Sequence, residues 1–253
     1  MTMPRKILLW ALLGYLAAAG SGCAARQPDV LDQILEAGTM TVLVPENAGA
    51  YAYLESDGIT WNGSEIQLAQ AVADRAGVDM EVRALPKGRL LEGITLGEGH
   101  IAIGRIASND SLPYNYTVSQ SYGSGRIYAV TPRGVLFPTA NALENRTVGV
   151  TDQLSENALL AVHQIQGVTV NTYPDINLVE DTLVKGLICA YLCYEDQAFA
   201  LANVDSLQAQ NVAVGGKESY VIIGPRGADS LMAQANQVIT ERRPAKPAPE
   251  AER

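Results

Sequence analysis

Apolar residues recur along most of this chain with spacings that alternate between those of helices and those of strands. From residue 29 onward, segments rich in β-branched residues alternate with segments whose apolar positions lie three and four residues apart. Strands interleaved with amphipathic helices are typical of an α/β fold. The pattern therefore predicts mixed sheets flanked by helices.

The first set of elements begins with the segment VLDQILEAG, whose apolar positions predict a helix with Leu31, Ile34 and Leu35 on one face. A second helix is predicted from Ser64, because Ser64 and Gln67 have the spacing of a capping box. The remaining predicted elements of this set are strand TMTVLV, strand MEVRAL, a short helix at 90–94, strand HIAIGRI and strand RIYAV.

The alternation starts again after Pro138 and predicts a second set of elements. In chain order these are strand TVGV, a helix over 155–166, strand VTVNTY, helix NLVEDTLVKG, strand ICAYLC, a helix over 195–202, strands VAV and SYVIIG, and a helix over 229–241. Residues 242–253, RRPAKPAPEAER, combine Pro, Ala and mixed charge without an apolar anchor. That composition predicts a disordered tail.

The first 22 residues have the pattern of an export signal. A basic pair, Arg5 and Lys6, precedes the apolar run ILLWALLGYLAAA, which is too short to span a bilayer. The following GSGC resembles a bacterial lipobox, although Gly20 stands where Leu is preferred. We expect residues 1–22 to be a lipoprotein signal peptide, Cys23 to carry the lipid, including palmitate, and residues 23–29 to be a tether. Ordinary cleavage near 17–19, which leaves a Cys23 thiol, is the alternative.

The net charge argues against one class of partner, and the positions of the cysteines argue against a disulfide. A formal net charge of −9 at pH 7 argues against nucleic acid as a partner, because phosphates would be repelled. Eleven Tyr against two Phe and two Trp suit a polar cleft. Cys189 and Cys193 would lie about 13 Å apart on one face of a strand, too far for a disulfide, so we expect buried thiols.

The sequence contains none of the common catalytic or nucleotide-binding motifs. HExxH, GxSxG, a Walker loop and a GxGxxG after a strand are all missing from it. His100 and His163 have no second His, Cys or Asp at ligand spacing. We therefore predict no cofactor, no metal site and no enzymatic activity.

Six short segments, in their order and spacing, carry a resemblance to the type 2 periplasmic solute-binding protein family. It is closest to the branch that serves polar amino acid transporters and covers roughly residues 30–240. The segments are LDQILEAGTMTVLV, NGSEIQLAQAVADRAGV, LLEGITLGEGHIAIGRI, VSQSY, TVGVTDQLSE and LVKGLICAYLCYEDQA. The resemblance implies two lobes joined by two crossing strands and closing on a ligand. Lobe one would be 30–122 and 213–241, and lobe two 123–212.

The resemblance also places candidate ligand contacts at strand ends that line the cleft. Tyr51 and Tyr53 would stack on the ligand, or would simply be tyrosines of a mobile loop. Glu65 lies in a first helical turn, where the helix dipole alone favours a carboxylate. Arg105 is suited to grip a carboxylate with its fork, or to pair with an acid at the surface.

Further candidates come from the loop after Arg105 and from the second set of elements. Ser108, Asn109 and Asp110 would bond a ligand or merely build a turn. Ser155 would cap a helix and, with the free amides beside it, receive an anion.

Glu195 and Asp196 lie near the place where family members carry an acid for the ligand's ammonium group, in a register uncertain by one or two residues, so that Tyr194 competes. Leu112 stands where amino acid binders carry an arginine, and this departure leaves the identity of the ligand open.

The leading hypothesis is a lipid-anchored periplasmic protein that captures a small polar, amino acid-like solute for an ABC transporter permease or a membrane sensor. Its membrane, inner or outer, is left open. The alternative is a regulatory or cell-envelope module that kept the fold and changed or lost the ligand site, as Leu112 and the short C-terminus suggest. A third hypothesis is a dehydratase-like enzyme with Glu195 or Asp196 as its acid.

Overall fold

The computed structural model describes residues 29–108, 110, 112 and 115–243. Residues 1–22, Cys23, the tether as far as residue 28, Asn109 and the tail from residue 244 lie outside the described residues. The predictions for these segments therefore stay predictions. Over the part of the chain that is described, no helix has the length and apolar content needed to cross a membrane.

The first half of the chain contains three helices and seven strands within the described residues. The helices are α1 (Val30–Ala37), α2 (Ser64–Ala76) and α3 (Leu90–Thr95), with short 3-10 turns at Gly49–Tyr51 and Lys87–Arg89. The strands are β1 (Thr39–Pro45), β2 (Tyr53–Leu54), β3 (Trp61–Asn62), β4 (Asp79–Leu85), β5 (Ile101–Ala107), β6 (Tyr116–Val118) and β7 (Gly123–Gly125).

The second half adds four helices and six strands in the described part of the chain. The helices are α4 (Glu156–His163), α5 (Val179–Val184), α6 (Glu195–Leu201) and α7 (Asp229–Arg242), with 3-10 turns at Ala140–Leu143 and Ile176–Leu178. The strands are β8 (Ile127–Pro132), β9 (Thr147–Val150), β10 (Thr169–Thr172), β11 (Ala190–Tyr194), β12 (Leu207–Gln210) and β13 (Glu218–Pro225).

One mixed sheet organises the first lobe, in the strand order β4-β1-β5-β13-β6, with β7 also paired to β13. β1 runs parallel to β4 and β5, whereas β13 is antiparallel to its partners. Helices α1, α2 and α7 cover one face through a core that includes Met40, Val42 and Ile101. Helix α3 covers the other face, where Leu90 and Ile94 pack on the sheet. Both faces are therefore buried.

A second mixed sheet, in the order β10-β9-β11-β8-β12, organises the second lobe. Helix α4 packs on one face with Val148 and Leu192, and helices α5 and α6 pack on the other with Val130. The chain passes from the first sheet to the second between β7 and β8 and returns between β12 and β13. The predicted α/β fold, with mixed sheets flanked by helices in two lobes, is confirmed.

Three local predictions are wrong. The capping box does not form, because Gly63 is the N-cap of α2 and the helix has no side-chain cap. The segment VAV is not a strand, since Ala213 has φ 53° and its N–H bonds to the Asn211 side chain. The sheet is completed instead by β12, which sequence analysis missed. Leu35 is 50% exposed rather than part of the buried face of α1.

The two cysteines of the second lobe are free thiols, as expected. Cys193 is buried, and burial raises the pKa of its thiol. Cys189 is only partly buried, so the predicted burial holds fully for one of the two.

Replacement of Gly63 by Ala should destabilise the protein. Gly63 has φ 121°, and an added Cβ would lie 2.2 Å from the Tyr51 carbonyl oxygen. We expect a loss of about 2 kcal/mol or more in the free energy of unfolding, measured by urea denaturation. Gly216→Ala is the control, because that site has open space around it and an ordinary φ. Equal stability of the two variants would contradict this account of the α2 N-terminus.

Candidate functional site

The backbone of Arg105 is held in an unusual conformation near the end of β5. Its φ is 51°, in the left-handed region that non-glycine residues rarely adopt. Its N–H is shared between Glu65 Oε1 at 3.0 Å and the Tyr122 hydroxyl at 2.9 Å. The pairing of β5 with β13 is irregular here, since Ala102 and Ile106 oppose Ile223 and Val221. Such irregularities redirect side chains at functional sites.

The Arg105 side chain lies buried between aromatic rings from both lobes. Its guanidinium carbon is 4.0 Å from the centroid of the Tyr51 ring and 5.1 Å from that of Tyr194. Nη1 lies 3.3 Å from Asp196 Oδ1, and the side chain is 2% exposed. Nη2 is buried and has no hydrogen-bond partner among the described residues. We call Tyr51, Tyr194 and Asp196 the guanidinium cage.

The charge of Arg105 is maintained by its surroundings. Burial alone would lower its pKa, but the carboxylates of Asp196 and Glu65 oppose burial and raise that pKa. Burial and the nearby Asp196 also raise the pKa of the Tyr51 hydroxyl. The cage therefore holds a permanent cation against neutral aromatic rings.

Glu65 is a buried carboxylate in the first turn of α2, with 2% of its surface exposed. Its Oε1 accepts hydrogen bonds from the Tyr122 hydroxyl and from the Arg105 N–H. Its Oε2 is buried without a hydrogen-bond partner in the part of the chain that is described. Burial raises the pKa of Glu65, although Tyr122 and Arg105 oppose that shift.

A second buried network lies where β13 leaves the interlobe connection. Glu218 Oε1 accepts from Ser155 Oγ at 2.5 Å, and Glu218 Oε2 accepts from the Tyr194 hydroxyl at 2.7 Å. Ser155 is the N-cap of α4, where its Oγ accepts from the Ala158 N–H at 3.0 Å. The helix terminus that was expected to receive an anion is thus occupied by the protein's own carboxylate.

Two more polar contacts join the lobes. The Lys87 ammonium donates to the Gln153 carbonyl oxygen. Asp110 Oδ1 accepts from the backbone and side-chain nitrogens of Asn157 at 3.2 and 3.3 Å. Burial and the neighbouring Arg105 charge lower the pKa of Lys87 to about 8. These hydrogen bonds therefore join the two lobes in addition to the Arg105–Asp196 pair.

Two cavities adjoin the guanidinium cage. The larger, about 710 Å³, lies between the lobes, and its lining includes four acids and neither Lys nor Arg among the described residues. These acids are Glu46, Asp152, Asp175 and Asp196. The smaller, about 410 Å³, has Glu65, Tyr122, Tyr220 and Arg105 in its lining. Arg105 and its ionic partner thus line different cavities.

The structure brings together four of the residues selected from the sequence: Tyr51, Glu65, Arg105 and Asp196. Ser155 lies beside them, bonded to Glu218.

Other candidates lie apart from this cluster. Tyr53 is 42% exposed and lines the rim of the larger cavity. Ser108 is exposed, with its N–H bonded to the Ser219 carbonyl. Glu195 is also exposed and bonds to the Tyr128 hydroxyl at 3.3 Å. Asn109 is not described.

Sequence analysis missed Lys87, Tyr122, Glu218 and Tyr220. The available signal was the excess of Tyr and the paired motifs VSQSY and KESY, whose tyrosines meet with ring centroids 6.3 Å apart. No group of three or more His, Cys, Asp or Glu within the described residues is arranged to hold a metal ion.

Comparison with known proteins gives a consistent family and fold. A model of the bacterial extracellular solute-binding proteins, family 3, matches residues 40–245. A search of curated proteins finds no significant match.

Among solved structures, the arginine-bound form of truncated ArgBP from T. maritima is 19% identical, with a TM-score of 0.73, over 84% of this chain and 100% of that chain. The amino acid ABC transporter substrate-binding protein AbpA from Streptococcus pneumoniae, bound to L-arginine, has the same identity and TM-score over 83% of this chain and 91% of its own. An ancestral amino acid-binding protein, a precursor of cyclohexadienyl dehydratase, is 16% identical, with a TM-score of 0.73, over 85% of this chain and 93% of its own. At these identities the likeness establishes the fold.

Glu65 should make a pH-dependent contribution to stability. Its folded pKa is raised above the ordinary value of 4.5, so its contribution is fully present below about pH 4.5 and is lost as pH rises through the folded pKa. We expect the free energy of unfolding of the wild type, relative to that of Glu65→Gln, to fall over this window in urea titrations. Glu81→Gln, at an exposed position, controls for the change of one charge. A difference independent of pH would contradict the burial argument.

Proposed function

Because this chain belongs to family 3 of the bacterial extracellular solute-binding proteins, we propose that it captures a small polar, amino acid-like solute between its two lobes. The protein works at the periplasmic side of a membrane, anchored through a lipid on Cys23. It delivers the solute to an ABC transporter permease or presents it to a membrane sensor. Binding and release follow from opening and closing of the lobes.

The observation that carries this proposal is a set of buried polar atoms without partners where the lobes meet. Arg105 Nη2, Glu65 Oε2 and the Tyr220 hydroxyl find no hydrogen-bond partner among the described residues. Each such group costs about 1–3 kcal/mol when it stays unpaired. A polar solute that bonds to them recovers this free energy, and donors and acceptors together suit a solute that carries both.

The charges around the cleft favour a solute with separated charges. Arg105 Nη2 is a donor for a carboxylate, which is the group that a guanidinium binds best. The acids of the larger cavity favour a cationic or hydrogen-bond-donating remainder. Leu112, where the resemblance leads one to expect an arginine, packs instead with the apolar cluster around α3. Arg105 therefore takes over recognition of the carboxylate.

One observation favours the second candidate, a regulatory or cell-envelope module that does not transport. Asp196, one of the two acids near the place where family members bind a ligand's ammonium group, is already paired with Arg105. Charged residues of the cleft that are paired with one another suit a domain whose partner is another protein and not a solute. We do not propose catalysis, because Glu195 bonds to Tyr128 away from the cage and Asp196 is held in the ion pair.

The first test is a thermal-shift screen of the chain from residue 27 against amino acids, small peptides, peptidoglycan fragments and organic acids. A bound solute must raise the melting temperature, and we expect a response to carboxylates. Arg105→Lys should weaken the affinity for the responding solute by about tenfold or more, since Lys lacks the fork. Arg75→Lys, an exposed arginine paired with Glu241, is the control. If no solute shifts the melting temperature, the regulatory module replaces this proposal.

A second test concerns the membrane anchor. Cys23→Ser should move the full-length protein from the membrane fraction to the soluble periplasmic fraction and abolish metabolic labelling with palmitate. Cys189→Ser is the matched control, because that thiol lies in the folded domain. A Cys23→Ser protein that stays membrane-bound and labelled would contradict lipidation at this position.

A further inference from the structure

The guanidinium cage has the composition of a site that recognises a cationic ligand, yet it encloses a side chain of this same chain. Tyr51 and Tyr194 present ring faces to the guanidinium at 4.0 and 5.1 Å, and Asp196 supplies the counter-charge at 3.3 Å. Aromatic faces combined with a carboxylate are the groups that bind organic cations. Arg105 thus makes the contacts with the cage that a free guanidinium compound would make.

We propose that Arg105 is a tethered occupant of this cage and that it excludes solutes with a cationic head group from it. The inference rests on the proposed function, because it determines which solutes the cleft admits. A solute that carries a carboxylate accepts a hydrogen bond from Arg105. Guanidinium and ammonium groups are excluded, because Arg105 already contacts both the ring faces and Asp196. Arg105 is therefore a specificity-determining residue.

The backbone explains why the occupant stays in place. Arg105 has φ 51°, and its N–H is bonded to Glu65 and Tyr122. Its side chain is 2% exposed, so withdrawal would leave the cage empty and separate the guanidinium from its counter-charge on Asp196. A cationic group must displace this arrangement before it gains any contact with the cage. An anionic solute only adds a bond to the free Nη2.

Lobe closure and cage occupancy are linked by the origin of the residues. Tyr51 and Arg105 belong to the first lobe, and Tyr194 and Asp196 to the second. The ion pair therefore joins the lobes through the position where a ligand cation would sit. The flanking bonds from Lys87 to Gln153 and from Asp110 to Asn157 hold the same closed arrangement.

Emptying the cage should create a guanidinium-binding site. Arg105→Gly removes the side chain, and glycine accepts the positive φ without strain. We expect guanidinium chloride, at millimolar concentration, to raise the melting temperature of this variant in a saturable way relative to equal sodium chloride. Wild type and Ala213→Gly, which changes another positive-φ residue at an exposed position, should show no such rise. Adding Asp196→Asn to Arg105→Gly should weaken guanidinium binding by about tenfold or more.

A folded Arg105→Gly protein that responds to guanidinium no more than the wild type would overturn the proposal. If the variant does not fold, the wild type gives the test through the ¹⁵N resonance of the Arg105 Nε–H, assigned by comparison with Arg105→Lys. We expect slow exchange with solvent and no change on addition of guanidinium chloride. A resonance that exchanges freely, or that shifts as guanidinium displaces the side chain, would also overturn it.

These measurements are separate from the solute screen. A cage that binds guanidinium only in Arg105→Gly supports the tethered occupant even if the wild type captures no solute. A wild type that captures a solute while the emptied cage ignores guanidinium supports solute capture and rejects the occupant.

Discussion

The buried guanidinium of Arg105 needs partners for its charge, and side chains on both sides of the cleft supply them. A charge that is removed from water must be paired and hydrogen-bonded, or its burial costs several kcal/mol. The protein supplies Asp196 from the opposite lobe, ring faces from Tyr51 and Tyr194, and Glu65 beside the backbone. Removing any of these partners leaves a buried charge with fewer contacts. The contact between the lobes therefore lies at this buried charge.

The fold makes that meeting possible because the chain crosses between the lobes twice. Arg105 and Glu65 come from the first lobe, and Asp196 lies in the first turn of α6 in the second. Glu218 starts the strand that returns to the first lobe, and it bonds Ser155 and Tyr194 of the second. Carboxylates from both lobes and from the crossing strand thus converge on one small region. In the proposed capture of a solute, opening of the lobes breaks the Arg105–Asp196 pair, which couples solute capture to charge pairing.

Much of this arrangement follows from the sequence, and the failures have physical causes. Periodicity gave the α/β class and most elements, because buried faces impose regular spacing. The resemblance gave the family and placed Tyr51, Glu65, Arg105 and Asp196 among the candidates. It did not reveal that Arg105 fills the cage, because that depends on a positive φ and a strand irregularity that apolar periodicity does not encode. Glu218 and Lys87 were missed because their partners are 63 and 66 residues away in the chain.

The most direct test of solute capture at this cleft is a crystal structure of the protein with the solute that stabilises it most. We predict electron density for the solute between the lobes, with an acceptor group within hydrogen-bond distance of Arg105 Nη2 and with the guanidinium still between Tyr51 and Tyr194. Solute bound outside the two cavities that adjoin the cage, or an Arg105 side chain displaced from the cage by the solute, would contradict solute capture at this cleft.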